Sequence, residues 1–251
     1  MRGFALAYGL ICYVIFFLTF LYAIGFVGDF GVPRTIDSGP SASLVPALVI
    51  DAVLLGVFAV QHSLMARPAF KAWWTKIVPP PIERSTYVLF ASLALMLLFW
   101  QWRALPQAVW TIGSPAIATL VVIAFWVGWA TVLLSTFLIN HFDLFGLRQV
   151  WAYRRAQQIP PPEFRTPLFY KVVRHPLYLG FIIAFWAAPT MSQGHLFFAL
   201  ATTAYILIAI QLEEHDMVAV FGERYLAYRK QVSMLIPLPR PGRQSRPASP
   251  G

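Results

Sequence analysis

The chain has 251 residues, of which 59% are hydrophobic and only 12% are charged, a composition that excludes an ordinary soluble domain and predicts a polytopic membrane protein. Its net charge of +9 comes from basic residues in short loops between apolar runs and in the tail, which is a topology signal rather than a nucleic-acid-binding surface. Cys12, the single cysteine, lies within an apolar run, so neither a disulfide framework nor a cysteine metal site is expected.

Four apolar runs are long enough to cross a bilayer, which requires ~20 residues. They occupy residues 4–27, 44–65, 86–102 and 115–139. A fifth apolar region, residues 176–212, is interrupted by Pro189 and by residues 192–194, so we expect two helices joined by a tight turn, each barely long enough to span. The sequence therefore predicts an all-α integral membrane protein with four transmembrane helices, a C-terminal helical hairpin (five to six membrane segments) and a cytoplasmic helical cap.

The loop charges predict the orientation. If the N-terminus is inside, every Lys and Arg except Arg34 and Arg103 lies on the cytoplasmic side, as the positive-inside rule requires. We therefore expect a multi-pass protein of the bacterial cytoplasmic membrane, with both termini in the cytoplasm. We expect residues 1–236 to form one membrane-embedded domain and residues 237–251 to form a basic, Pro-rich tail, whose composition is typical of disorder.

Polar residues precede the predicted hairpin. Residues 174–180 (RHPLYLG) place Pro176 at the first turn of a helix, where its missing N–H costs nothing. The free N–H groups of that turn, with Arg174 and His175 just upstream, favour a carboxylate or phosphate. Tyr178 lies three residues after His175 and shares its helix face. The motif is predicted to lie at the cytoplasmic membrane surface.

Two acidic residues follow the same apolar region. Glu213 and Glu214 return the chain to the surface of the RHPLYLG motif, so a cationic or amphoteric ligand could be held between the two. The alternative is that the basic residues are membrane-interface anchors and the glutamates are solvated helix-end charges.

Residues 174–180, 213–214 and 221–230 (FGERYLAYRK) together resemble the C-terminal signature of the isoprenylcysteine carboxyl methyltransferase and phospholipid methyltransferase superfamily. The resemblance implies that residues 165–236 bind S-adenosylmethionine (SAM). The residues that it assigns to the cofactor are Arg174, His175, Pro176, Tyr178, Gly180, Glu213 and Glu214.

Three further stretches, at predicted cytoplasmic span ends, resemble bacterial methanethiol S-methyltransferases and the related NnrU-type membrane proteins. They are residues 61–68 (QHSLMARP), 83–87 (ERSTY) and 140–149 (NHFDLFGLRQ). This resemblance implies an enzyme of class EC 2.1.1 that transfers a methyl group from SAM to a small thiol, with methanethiol giving dimethyl sulfide. Two alternatives stay open: methylation of an isoprenylcysteine carboxylate or a phospholipid amine, and a non-enzymatic NnrU-like transporter or assembly factor.

A thiol must lose its proton before it attacks the methyl group, and a simple alkanethiol is a weaker acid than cysteine at ~8.5. Attack of a thiolate on a sulfonium removes two opposite charges, so a dry site favours the reaction. The sequence predicts His141 as the base, with Asp143 or Glu83 orienting it and Arg84 and Arg148 providing a positive field.

The remaining polar residues have simpler interpretations. His62 and His141, each considered alone, are typical of hydrogen-bonded histidines at a membrane interface, although two histidines at one depth could instead bind a haem. Asp51 is expected to make a structural hydrogen bond. No metal and no nucleic-acid partner is expected, so the predicted partners are the small thiol and the lipid bilayer.

Overall fold

The computed structural model describes residues 2–161 and 163–237. Its helices are α1 (Arg2–Gly28), α2 (Leu44–Ala66), α3 (Pro68–Trp74), α4 (Pro80–Gln101), α5 (Pro115–Ile139), α6 (His141–Leu144), α7 (Leu147–Arg155), α8 (Pro176–Trp186), α9 (Gln193–Phe221) and α10 (Glu223–Gln231). The strands are β1 (Ala108–Thr111) and β2 (Thr190–Ser192), and a 3-10 turn covers Leu168–Lys171. Beyond its first residue, the predicted tail lies outside the described residues.

Five of these helices are long and apolar enough to cross a membrane: α1, α2, α4, α5 and α9. The protein is therefore an all-α multi-pass membrane protein, as the composition predicts. The third span begins earlier than expected, at Pro80 rather than at residue 86. Proline is tolerated in the first turn, and the Glu83 carboxylate complements the helix dipole there. Glu83 and Arg84 consequently lie on α4 and not in a loop.

The predicted hairpin exists, but its arms are unequal. The first arm, α8, has 11 residues, about 16 Å of helix, whereas α9 has 29 residues, about 43 Å. The prediction of two short, similar arms is wrong, because α9 continues without a break past the apolar run. Glu213 and Glu214 therefore lie within α9 and not at its end.

One end of the bundle is closed by loops and a small sheet that the sequence did not predict. The strands β1 and β2 pair antiparallel, with Ala108 opposite Ser192. The Trp102 indole is buried and donates to the Ile36 carbonyl at 3.0 Å. Asp51 accepts a hydrogen bond from the Arg103 backbone N–H at 2.9 Å, as expected. These contacts fix the loops after α1, α4 and α8 to one another.

The opposite end carries the short helices α3, α6, α7 and α10. All the described Lys and Arg residues except Arg34 and Arg103 lie toward this end, which is therefore called the basic end. Tyr228 on α10 donates to the Tyr170 carbonyl at 2.5 Å. Burial raises the pKa of Tyr228 to about 12, so its hydroxyl stays protonated. The short helices form the predicted helical cap.

Helix α8 packs against α5 at very short range. A Cβ added at Gly180 would lie 2.8 Å from both the Gly128 carbonyl oxygen and the Val132 backbone nitrogen. Small residues permit this kind of backbone contact between helices in lipid. The short α8 is thus anchored to a full-length span.

Candidate active site

A cavity of about 570 Å³ lies inside the bundle, within the usual range of ligand sites, about 300–1,000 Å³. Its wall is mainly aromatic and aliphatic, and apolar residues such as Val27, Phe99 and Phe198 line the part away from the basic end. Its ionisable lining lies toward the basic end: His62, Arg67, Arg84, Tyr87, His141, Tyr170, Arg174, His175, Tyr178, Tyr205, Glu213 and Asp216. The cavity therefore combines a polar region with a largely apolar interior.

The structure brings the RHPLYLG motif and the glutamate pair together. The Glu214 carboxylate accepts from Arg174 Nε at 2.7 Å and contacts His175 Nε2 at 3.0 Å and Arg229 Nε at 3.0 Å. Arg174 Nη1 also donates to the Val232 carbonyl at 2.5 Å. Arg174, His175 and Glu214 are all buried. This buried ion cluster joins α8, α9 and α10, and the charge of Glu214 is neutralised within the protein.

Glu213 has a different environment. It lines the cavity beside Tyr178, and it makes no ion pair with any residue of the described chain. The two glutamates therefore do not clamp the cavity jointly. Glu213 presents an unneutralised negative charge to the interior, whereas Glu214 is turned toward the cations of the protein.

Pro176 and Gly180 do not line the cavity. Pro176 occupies the first turn of α8, as expected. Gly180 faces α5, where its missing side chain permits the contact with Gly128. Both residues shape the helix that carries Tyr178 rather than facing a ligand directly.

His141 is buried and lines the cavity, but both of its ring nitrogens have protein partners. Thr136 donates its hydroxyl proton to the Leu133 carbonyl at 2.6 Å, so His141 Nδ1–H donates to the Thr136 oxygen at 2.8 Å. His141 Nε2 then accepts from the Tyr13 hydroxyl at 2.8 Å. Burial lowers the pKa of His141 and favours this neutral form.

The residues expected to orient His141 do not contact it. Asp143 pairs with Arg148 at 3.6 Å and accepts from Gln149 Nε2 at 2.9 Å, and neither Asp143 nor Arg148 lines the cavity. Glu83 is buried away from the cavity, and its Oε1 has no hydrogen-bond partner among the described residues. The predicted arrangement of His141 with Asp143 or Glu83 is therefore not assembled in the structure.

Arg84 is the other predicted catalytic residue that lines the cavity. Its Nε donates to the Leu144 carbonyl at 2.8 Å, and its guanidinium carbon lies 4.8 Å from the centroid of the Tyr87 ring. This geometry holds the cation at the cavity wall. Of the two arginines predicted to provide a positive field, Arg84 lines the cavity and Arg148 does not.

Comparison with known proteins identifies the family of the chain. Methanethiol S-methyltransferase 1 of Bradyrhizobium diazoefficiens is 56% identical over 93% of this chain and 82% of that protein. Methanethiol S-methyltransferase of Mycobacterium tuberculosis is 55% identical over 95% and 98%. The chain belongs to the methanethiol S-methyltransferase family. Nurim of Rattus norvegicus is a more distant relative, 30% identical over 70% of each chain. No protein-family model and no solved structure matches the chain.

This member of the methanethiol S-methyltransferase family also has cavity-lining polar pairs that the sequence analysis did not predict. The Tyr87 hydroxyl lies 3.0 Å from both ring nitrogens of His62. The Tyr205 hydroxyl lies 3.0 Å from the Ser63 hydroxyl. His62, Ser63 and Tyr87 fall in the stretches 61–68 and 83–87 that resemble the family, so the resemblance pointed to their positions. No sequence signal marked Tyr205.

A further ion pair lies at the polar edge of the same cavity. Arg67 Nη1 lies 2.9 Å from Asp216 Oδ2, and about 30% of each side chain is exposed. The pair joins the end of α2 to α9. Arg67 lies in the stretch 61–68, but nothing in the sequence connected it to Asp216.

Three histidines line the cavity and bear on the haem alternative. His62, His141 and His175 each contact a neighbouring side chain through a ring nitrogen. Within residues 2–161 and 163–237, no group of three or more His, Cys, Asp or Glu side chains could hold a metal ion.

Proposed function

We propose that this chain transfers a methyl group from SAM to methanethiol and so forms dimethyl sulfide. Relatives that carry the name methanethiol S-methyltransferase, at 50–56% identity, support the reaction. The observation that carries the proposal is Glu213, an unneutralised carboxylate at the polar side of a largely apolar cavity.

The residues present fit SAM. When bound, SAM supplies an electrophilic methyl group on a positively charged sulfonium. Glu213 offers that cation a counter-charge, and Tyr178 and His175 supply polar contacts on the same side of the cavity. The first turn of α8 adds backbone N–H groups suited to a carboxylate. The buried ion cluster fixes α8 and α9, so these groups are held in place before the ligand arrives.

The rest of the cavity suits a small thiol. Aromatic and aliphatic side chains exclude water, which favours a reaction in which a thiolate and a sulfonium lose their charges. The Arg84 cation at the wall stabilises a thiolate relative to the thiol. Binding, water exclusion and stabilisation of the thiolate are thus performed by residues of one cavity.

The same proposal places the basic end in the cytoplasm of a bacterial cell. SAM is water-soluble and made in the cytoplasm, and the polar lining of the cavity lies toward that end. The distribution of Lys and Arg favours this orientation independently.

An assay with purified protein and SAM labelled in its methyl group tests the function. The acceptors compared are methanethiol, a second alkanethiol, a prenylcysteine and phosphatidylethanolamine, with an acceptor-free reaction as the control. We expect volatile label, recovered as dimethyl sulfide, with methanethiol. Label that appears only in the prenylcysteine or the lipid would assign a different acceptor, and transfer to none of them would favour a transporter or an assembly factor.

A further inference from the structure

His62 is held in a defined orientation at the cavity wall. Its ring stacks on Phe58 with centroids 5.2 Å apart and an interplanar angle of 23°, and Tyr87 packs beside it at 5.2 Å. Tyr87 is itself buried, with 5% exposure. The two aromatic neighbours therefore leave the imidazole little freedom to rotate.

One ring nitrogen of His62 has no good partner among residues 2–161 and 163–237. The Tyr87 oxygen is 3.0 Å from both nitrogens, and a single hydroxyl placed between them can make one linear hydrogen bond at most. His141, by contrast, has separate partners for its two nitrogens, Tyr13 and Thr136.

The remaining histidines are less suited to take a proton from a substrate in the cavity. His175 gives its Nε2 to the buried Glu214 carboxylate. His195 contacts the Phe185 carbonyl through Nε2 and does not line the cavity, and His215 is exposed. His62 is thus the cavity-lining histidine of the described chain that best combines fixed orientation with a spare nitrogen.

The surroundings of His62 favour a thiolate. From α4 it is faced by Tyr87 and by Arg84, whose cation lies over the Tyr87 ring at 4.8 Å. Just past the end of its own helix, Arg67 is neutralised by Asp216, and from α9 Tyr205 bonds to the adjacent Ser63. The un-neutralised charge beside the ring is therefore the positive charge of Arg84, which stabilises a neighbouring thiolate. Together with burial, the same cation disfavours a positive charge on His62, so the resting imidazole is neutral and readily releases a proton that it has accepted.

The His62 region also adjoins the proposed SAM site. Tyr178, which lies beside Glu213, is close enough to Tyr87 and Tyr205 to interact electrostatically with both. A thiol at His62 would consequently sit between the Arg84 cation and the methyl donor, in one continuous cavity.

We propose that His62 is the general base that deprotonates the thiol, and that Tyr87 is the residue that positions it. This inference rests on the proposed methyl transfer to a thiol. The S–H bond breaks, its proton moves to a His62 nitrogen and its electron pair stays on sulfur. That pair forms the new S–CH₃ bond while the bond from the methyl group to the sulfonium of SAM breaks, and its electrons return to the donor sulfur. The proton then leaves to water at the basic end.

The test is a comparison of His62→Gln with His141→Gln, and with His215→Gln as a matched control at an exposed histidine of α9. For His62→Gln we expect kcat/KM for methanethiol at neutral pH to fall by ~10²–10⁴-fold, and to recover about tenfold per pH unit as free thiolate becomes available. The control should follow the wild-type pH profile. SAM affinity, measured by calorimetry, should be unchanged in all three variants.

A second readout does not depend on turnover. Methanethiol is titrated into the protein saturated with S-adenosylhomocysteine, and the ultraviolet absorbance of the thiolate is followed against pH. In wild type the thiolate should form at a lower pH than in His62→Gln. Tyr87→Phe, which keeps the ring and removes the hydroxyl, should also shift the midpoint of thiolate formation to higher pH. If the His62→Gln protein shows no cooperative thermal unfolding, Tyr87→Phe becomes the deciding variant.

The proposal is overturned if the folded His62→Gln chain keeps the wild-type pH profile and thiolate midpoint, or if His141→Gln alone shows the loss and its recovery at high pH. An unshifted midpoint in Tyr87→Phe would remove the positioning role. Wild-type protein that transfers no methyl group to methanethiol would instead contradict the proposed function, so the two failures are distinguishable.

Discussion

Glu213 and Glu214 are neighbours in the chain but lie about 100° apart around α9. That rotation turns Glu214 toward Arg174, His175 and Arg229, and leaves Glu213 facing the cavity. A buried ion pair of this kind is costly to break, since the remaining charge is left without a partner. A ligand-facing carboxylate contributes mainly to affinity for the ligand. The two residues should therefore respond differently to the same substitution.

Replacing each glutamate with glutamine separates the two roles. In Glu214→Gln the buried Arg174 loses its counter-charge, so we expect the free energy of unfolding to fall by about 3–5 kcal/mol. In Glu213→Gln the melting temperature should be preserved, while SAM affinity falls roughly tenfold, about 1.4 kcal/mol. Thermal unfolding and calorimetry measure the two effects, with the exposed Glu223→Gln as control. Equal loss of SAM affinity at melting temperatures that match wild type would contradict the division of roles.

At the scale of elements, the short α8 depends on its neighbours for its position. It is too short to span a bilayer alone, yet it carries Tyr178 and the first turn proposed to bind SAM. Its contact with α5 through Gly128 and Gly180, and the buried ion cluster at its N-terminus, hold it in place. The positions of the cavity-lining groups on α8 therefore depend on how closely α8 packs against α5.

Gly180→Ala tests that link. The added methyl group would meet two backbone atoms of α5 at 2.8 Å, so the helices must separate. Overpacking of this kind costs about 1–3 kcal/mol, and we expect both a lower melting temperature and weaker SAM binding. Gly56→Ala on α2 is the matched control, because nothing lies within 4 Å of its added Cβ. Gly180→Ala with wild-type stability and affinity would show that the close approach is not required.

At the scale of the whole molecule, the charge asymmetry of the bundle predicts its orientation. The basic end carries the cap and the polar side of the cavity, while the opposite end carries the β1–β2 sheet and the loops packed around Trp102. If SAM enters from the cytoplasm, the basic end must face it.

Cysteine labelling in intact bacterial cells measures this orientation. In a chain with Cys12 replaced by Ala, we expect a membrane-impermeant maleimide to react with Gly113→Cys in intact cells, and with Arg154→Cys only after lysis. Gly113 and Arg154 are both exposed, at the sheet end and on α7 respectively. Labelling of Arg154→Cys in intact cells would invert the topology and separate the proposed site from cytoplasmic SAM.

The sequence by itself determined the class of the molecule. A bilayer requires ~20-residue apolar segments whose backbone groups are satisfied within the segment, so composition and run length are enough to predict helical spans. The sequence also pointed to the candidate cavity, since the stretches around residues 62, 84, 141, 175 and 213 supply much of its ionisable lining. The family resemblance found in those stretches agrees with the relatives.

Only the tertiary structure decided which polar residues meet. In lipid the outer face of a helix is as apolar as its inner face, so periodicity does not reveal which side of α2, α4 or α9 points inward. The rotation of each helix decides that Glu214 rather than Glu213 joins Arg174, and that Tyr87 meets His62. It also leaves Asp143 with Arg148, away from His141. Contacts between residues distant in the chain depend on how the helices pack, and no single stretch of sequence determines that packing.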